Sequence, residues 1–280
     1  MKHKKFGAKG AEVSVIGQGT WYIDRGDRRS AVAALRRGIE LGMTHIDTAE
    51  MYGEAEPVIA DAIAGGKREN LYIVSKVLPS NASLRGTITA CERSLKRLKV
   101  ETLDCYLLHW RGSYPLEDTV AAFDQLISAG KIRSWGVSNF DTNDLNELVA
   151  VAGEGRIACN QVLYHLQERA IEHAVIPWCE RHGVAVVAYS PFGHNDFPSP
   201  HSREGKVLQA IADARGVTAR QDALAFLTRI PAVFAIPKAG SAEHAADNAA
   251  AGKLALNARE IEALDEAFPR GPRPRSLPML

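Results

Sequence analysis

No run of apolar residues in this 280-residue chain approaches the ~20 needed to cross a bilayer, so a membrane-spanning helix is excluded. The chain also lacks an excess of either charge: 34 Lys and Arg face 33 Asp and Glu, and no stretch alternates basic with aromatic residues along one face. That removes the electrostatic case for a nucleic-acid partner. Cysteine is scarce, and Cys91, Cys105, Cys159 and Cys179 show no Cys-x-x-Cys spacing. Three of the four sit in apolar or helical segments, where free Cys behaves as a small hydrophobe, so a reduced, cytoplasmic protein is expected. No His-x-His or His-Glu-x-x-His spacing suggests a metal, and His3, His165, His173, His182, His194 and His201 are scattered without an evident role. The basic start, Met1 to Gly7, has no apolar core behind it and does not read as a signal peptide. Gly17-Gln18-Gly19 lacks the third glycine of a dinucleotide-binding turn and reads as a tight strand exit. With no internal repeat and no composition shift, residues 1–280 read as a single domain, monomeric by expectation.

What the chain does have is a series of short apolar runs, each stopping on a polar residue. Thr44-His45-Ile46 leads to Asp47, Leu71 to Ser75 leads to Lys76, and Leu103 to Leu108 leads to His109. Ile132 to Val137 leads to Ser138-Asn139, Ile157 to Asn160 leads to Gln161, Val184 to Ala188 to Tyr189, and Val233 to Pro237 to Lys238. Between them lie segments with apolar residues at helical spacing, near 28–42, 54–64, 83–98, 117–129, 141–152, 172–182, 205–215 and 219–229. Pro57 is tolerable in the second of these because it falls in the first turn. Strand–helix alternation at this pace means parallel strands joined by crossover helices. Counted from Gly17 there are eight strand candidates, and eight closes a (β/α)8 barrel of the TIM type. Ahead of it, Lys4–Phe6 and Glu12–Val15, joined through Gly7 to Gly10, read as a β-hairpin closing the bottom. Residues 194–204, after the seventh strand, read as a loop over the active face, and 269–280 as an extended tail that wraps the surface or stays mobile.

Polar residues gathered at the ends of parallel strands are how such a barrel builds its active site. Asp47, Tyr52, Lys76 and His109 make a coherent set. A tyrosine hydroxyl is a poor acid near neutrality, a nearby ammonium favours its phenolate, a carboxylate holds that ammonium in place, and a histidine orients or relays the proton. Taken singly, each has a plainer reading: Lys76 as a surface charge, His109 as a satisfied core histidine, Tyr52 as a packing residue, Trp21 and Trp110 as plugs of the barrel mouth. Their occurrence at successive strand ends is what a packing role does not require. Asp47 with Glu50 or Glu54 could mimic a glycosidase carboxylate pair, but nothing places them across a sugar.

The sequence resembles the aldo-keto reductase superfamily. Asp47-Thr48-Ala49-Glu50-Met51-Tyr52-Gly53, Val74-Ser75-Lys76, Leu107-Leu108-His109-Trp110, Gly136-Val137-Ser138-Asn139-Phe140, Asn160-Gln161-Val162, Ala188-Tyr189-Ser190-Pro191 and Ile236-Pro237-Lys238 look like its motifs and stand in its order. The likeness implies a nicotinamide dinucleotide held without a Rossmann fold. Tyr52 would be the general acid, Lys76 and Asp47 would tune it, and His109 would orient the carbonyl. Ser138, Asn139 and Gln161 would meet the nicotinamide amide, Tyr189 would stack on its ring, and Ser190 and Pro191 would continue that wall. Lys238, Ser241, His244, Asp247 and Asn248 would fall at the pyrophosphate and adenosine end. There Ala239 stands where the family usually has a small hydroxyl residue, and His244 where it has an arginine. A histidine offers no fixed bidentate charge, so NADPH is implied with NADH admitted. Within the superfamily the likeness is to short bacterial reductases of the methylglyoxal-reductase type, which implies small aldehydes and α-dicarbonyls as substrates, in an open pocket walled by Trp21, Tyr22 and Trp110. Two other classes compete: a Schiff-base barrel enzyme using Lys76 or Lys238 as nucleophile, and a barrel that keeps its cofactor but serves as a regulatory protein.

Overall fold

The computed structural model describes every residue except Lys9 and Lys67. The chain opens with a hairpin, β1 (His3–Lys5) and β2 (Glu12–Ser14), paired antiparallel with His3 opposite Ser14. The turn between them contains Lys9 and so lies partly outside the described residues. Eight parallel strands follow, each hydrogen-bonded to the next in chain order. They are β3 (Gln18–Gly19), β4 (His45–Asp47), β5 (Tyr72–Val77), β6 (Cys105–Leu108), β7 (Trp135–Ser138), β8 (Ile157–Leu163), β9 (Ala185–Tyr189) and β10 (Val233–Ala235). The first and last strands also meet: Gly17 N donates to Ala235 O at 2.8 Å, Ala235 N to Val15 O at 3.0 Å, and Gly19 N to Pro237 O at 3.1 Å. The sheet is therefore closed into a (β/α)8 barrel, as expected. Gly19 ends β3, as a strand exit would, and is also part of this seam. A Cβ on it would stand 2.5 Å from Ile236 O, so only glycine lets the closing strands approach.

Strand periodicity sorts the barrel's side chains. In β5 the set Tyr72, Val74 and Lys76 points inward, while Ile73 and Val77 face the helices. The inner core is small: Phe6, Val13, Val74, Cys105, Leu107, Cys159, Ala185, Val187, Phe234 and Ile236. A one-residue slip of β5 would send Lys76 outward and bring Ser75 in, so the apolar contacts of Ile73 and Val77 hold the lysine in the barrel. The hairpin closes the end where the strands begin. Phe6 lies 4.9 Å from Tyr72, 5.1 Å from Phe234 and 5.6 Å from His45, ring centre to ring centre.

Helices surround the strands: α1 (Arg28–Glu40), α2 (Ala55–Ile63), α3 (Leu84–Leu98), α4 (Leu116–Ser128), α5 (Thr142–Ala152), α6 (Val175–His182), α7 (Arg203–Arg215) and α8 (Ala219–Leu227). These follow the expected spans within a few residues. The sixth starts later than expected because Ala170–His173 forms a separate 3-10 turn. Two helices were not anticipated, α9 (Ala242–Ala251) and α10 (Ala258–Ala267). Alanine-rich α9 carries little periodic contrast. The tenth does have a readable start, since Asn257 and Glu260 form a capping box. Among the described residues no helix is long and apolar enough to cross a membrane.

His45 is sealed under the site with neither ring nitrogen partnered, and burial, then Lys76, pushes it down to about 3. Unfolded, the same group titrates near ~6.5. Between these values the unfolded chain binds a proton that the native one refuses. Stability contributed by the neutral ring is thus lost as pH falls below ~6.5, at up to about 1.4 kcal/mol per pH unit. His109, pushed down to about 2 by burial and Lys76, adds a second such contribution. His45→Phe keeps the ring packing and removes one of these contributions, while those of His109 and of His165, also lowered by burial, remain. Its urea midpoint should therefore fall less steeply between about pH 6 and pH 4 than that of the native protein.

Candidate active site

The strand ends opposite the hairpin converge on a cavity of about 840 Å³. At its floor lies a charged pair. Lys76, fully buried, donates from Nζ to Asp47 Oδ1 at 2.5 Å and to Thr48 O at 2.8 Å. Gln161 Nε2 donates to the other oxygen, Asp47 Oδ2, at 2.7 Å. Burial disfavours the Lys76 ammonium, but Asp47 and Tyr52 outweigh it and hold its pKa above the usual lysine value. Such a pair is stable away from water only because both charges are met by hydrogen bonds.

Tyr52 follows β4 on a turn, and its hydroxyl lies 3.4 Å from His109 Nε2. The Lys76 ammonium is 4.9 Å from the Tyr52 ring centre. Burial raises the tyrosine hydroxyl above its ordinary value, more than the opposing pull of Lys76 lowers it. Lysine proximity alone led to the opposite expectation, and desolvation of the phenolate is the reason it fails. Tyr52 is accordingly a full phenol at neutral pH and His109 a neutral imidazole, its Nδ1 buried without a partner.

The far wall is built by β7, β8 and β9. Ser138 Oγ donates to Gln161 O at 2.9 Å, and Asn139 Nδ2 donates to His109 O at 3.2 Å. Tyr189 OH donates to Asn139 Oδ1 at 3.0 Å. Asn139 sits at φ 60°, a left-handed conformation that asparagine tolerates better than most residues. On the near wall Trp21 and Tyr22 stack at 4.4 Å, and Trp110 packs on His109 at 4.9 Å.

The cavity thus collects Trp21, Tyr22, Asp47, Tyr52, His109, Trp110, Ser138, Asn139, Gln161, Tyr189, Ser190, Pro191 and Lys238. Lys76 lies below it. Ser241, His244 and Asn248 are not on its wall: Ser241 caps α9 by accepting from His244 N at 3.2 Å, His244 is exposed, and Asn248 is buried. Asp247 is taken by the start of α8, accepting from Gln221 Nε2 at 2.7 Å and from Thr218 Oγ1.

Sequence reasoning missed several lining residues. His194, set aside for lack of a metal spacing, stacks on Trp21 at 5.4 Å. Phe192, Phe197 and Arg220 also line the cavity. The loop after β9 was the readable signal for the first three, and nothing marked Arg220. The tail does not simply follow the surface. It runs back to the mouth, where Met279 and Leu280 line the cavity and Leu280 N donates to Tyr189 OH at 3.4 Å.

Barrel enzymes place their chemistry at this end of the strands, and by fold and site the protein is one of them. The aldo/keto reductase family model matches residues 15–268, and the chain belongs to that family of NAD(P)H-dependent oxidoreductases. It is 47% identical over 258 residues to methylglyoxal reductase YeaE of Escherichia coli, covering 91% of this chain and 90% of that one. Identity to glyoxal reductase of Bacillus subtilis is 32%, covering 96% and 95% of the two chains. Among solved structures, an aldo-keto reductase from Klebsiella pneumoniae in complex with NADPH superposes with a TM-score of 0.93 at 45% identity, over the whole of both chains.

Proposed function

We propose that the protein reduces small aldehydes and α-dicarbonyls of the methylglyoxal type to alcohols, with NADPH as hydride donor and Tyr52 as general acid. The observation that carries this reading is the Tyr52 hydroxyl beside a neutral His109, on the cavity floor above the buried Lys76–Asp47 pair. The activities for which the Escherichia coli and Bacillus subtilis relatives are named, and the cofactor in the Klebsiella pneumoniae complex, support it.

The residues present fit a nicotinamide dinucleotide. Tyr189 offers a flat face whose hydroxyl is tied down by Asn139, Ser138 and Gln161 lie on the same wall, and exposed Lys238 stands at the rim. Bound there, the reduced nicotinamide supplies the hydride. The substrate oxygen lies between Tyr52 and His109. His109 donates a hydrogen bond from Nε2–H and aligns the carbonyl, and Tyr52 transfers its proton to the oxygen as negative charge develops there. Lys76 stabilises the resulting tyrosinate, and Asp47, anchored by Gln161, keeps the ammonium from drifting. The Trp21, Tyr22 and Trp110 walls suit compact, weakly polar substrates.

Covalent catalysis by Lys76 fits the geometry badly. An attacking amine must be neutral, whereas Asp47 holds this one charged at 2.5 Å.

Lys238→Met should weaken NADPH binding about 10–100-fold, the worth of one charge-assisted phosphate contact, and leave NADH binding within about threefold of native. Titration of both cofactors by fluorescence quenching checks this. Equal losses for the two would mean that Lys238 does not read the 2′-phosphate.

A further inference from the structure

One cation on the cavity wall has no part in this scheme. Arg220 is the second residue of α8, exposed, with its guanidinium carbon 4.7 Å from the ring centres of both Phe192 and Phe197. Those two rings meet edge to face at 5.7 Å, so they form a corner in which the guanidinium is seated. Among the described residues Arg220 has no ion pair. Asp222, two residues along the chain, is buried 3.1 Å from Arg215 Nε, and Asp247 accepts from Gln221 and Thr218. Stacking on aromatic faces fixes a guanidinium while leaving its in-plane N–H donors unspent. A positioned, unpaired fork of donors lining a cavity is suited to an oxyanion, above all a phosphate.

Resting on the cofactor reading above, we infer that Arg220 binds the pyrophosphate of the dinucleotide, and that Phe192 and Phe197 position it there. The choice among the cofactor's phosphates follows from chain length. Phe192 is three residues beyond Tyr189, the face offered to the nicotinamide, and three residues span at most about 10 Å. One ribose separates the nicotinamide from the pyrophosphate. The 2′-phosphate lies beyond a second ribose, toward the Lys238 end. Arg220 therefore supplies a fixed cation that neither His244 nor Ser241 brings to the cavity. It also ties the loop after β9 to the bound cofactor.

The test is binding without substrate: fluorescence titration of NADPH and NADH against the native protein, Arg220→Met and Arg220→Lys. Arg220 is exposed, so both variants should fold, and an unchanged Tm confirms it. Arg220→Met should raise the Kd of both cofactors by the same factor, about tenfold or more. Arg220→Lys should recover only part, since an ammonium cannot reproduce the stacked fork. Native affinity for both cofactors in Arg220→Met would overturn the inference. So would a loss confined to NADPH, which would move the contact to the 2′-phosphate. If the native protein bound neither cofactor, the cofactor reading itself would fall.

Discussion

Tyr52→Phe should lower carbonyl turnover by about 10²–10⁴-fold, the usual worth of a positioned acid, with NADPH affinity unchanged. The substitution removes one oxygen and leaves the ring where Trp21 and His109 already pack on it, at 6.4 and 5.6 Å. No neighbour can take over. His109, pushed down to about 2, carries no acidic proton near neutrality. Lys76 is sealed beneath the floor and committed to Asp47 and Thr48. Turnover and cofactor titration on the same preparation separate the two effects. Turnover within a few fold of native would mean that another group donates the proton.

Lys76→Met should cost about 3–5 kcal/mol of stability as well as activity, because it strands the Asp47 carboxylate away from water with Gln161 as its remaining side-chain donor. Asp47→Asn combined with Lys76→Met removes both charges and should recover most of that stability while staying inactive. Urea denaturation of the single and double variants reads the difference. A further sign is expected in the histidines. Lys76 contributes to the depression of both His45 and His109, so both should titrate at higher pH once it is gone, as proton NMR would show. A single variant less than ~1 kcal/mol below native would mean that Asp47 does not depend on the ammonium.

The strand ends could be read from the sequence because barrel geometry writes itself locally. An inward set of alternating residues stops where the strand leaves the sheet: Asp47 and Tyr189 end their strands and Lys76 and His109 stand within one residue of an end, whereas Gln161 lies inside β8, two residues before its end. What could not be read depends on distances across the fold. Gln161 reaches Asp47 over 114 residues of chain, and nothing local distinguishes it from a residue that only meets a ligand. The direction of the Tyr52 shift needed the depth of burial as well as the identity of its neighbour. Gly17-Gln18-Gly19 reads as a tight strand exit, but not as a place of close strand approach, where Gly17 lies against His45 of β4 and Gly19 against Ile236 at the barrel seam. Arg220 resembles any basic residue on a helix until Phe192 and Phe197 are seen against it. The tail was correctly non-helical, but its return to Tyr189 is a tertiary contact that proline content does not foretell.

The most direct test of the account is whether native protein, given NADPH and methylglyoxal, oxidises the cofactor and forms an equal amount of the reduced hydroxy-carbonyl product. The account predicts saturable NADPH consumption that requires the carbonyl and is abolished in Tyr52→Phe. Tight NADPH binding with no consumption over methylglyoxal, glyoxal and simple aldehydes would contradict it, leaving a family barrel that holds its cofactor without reducing small carbonyls.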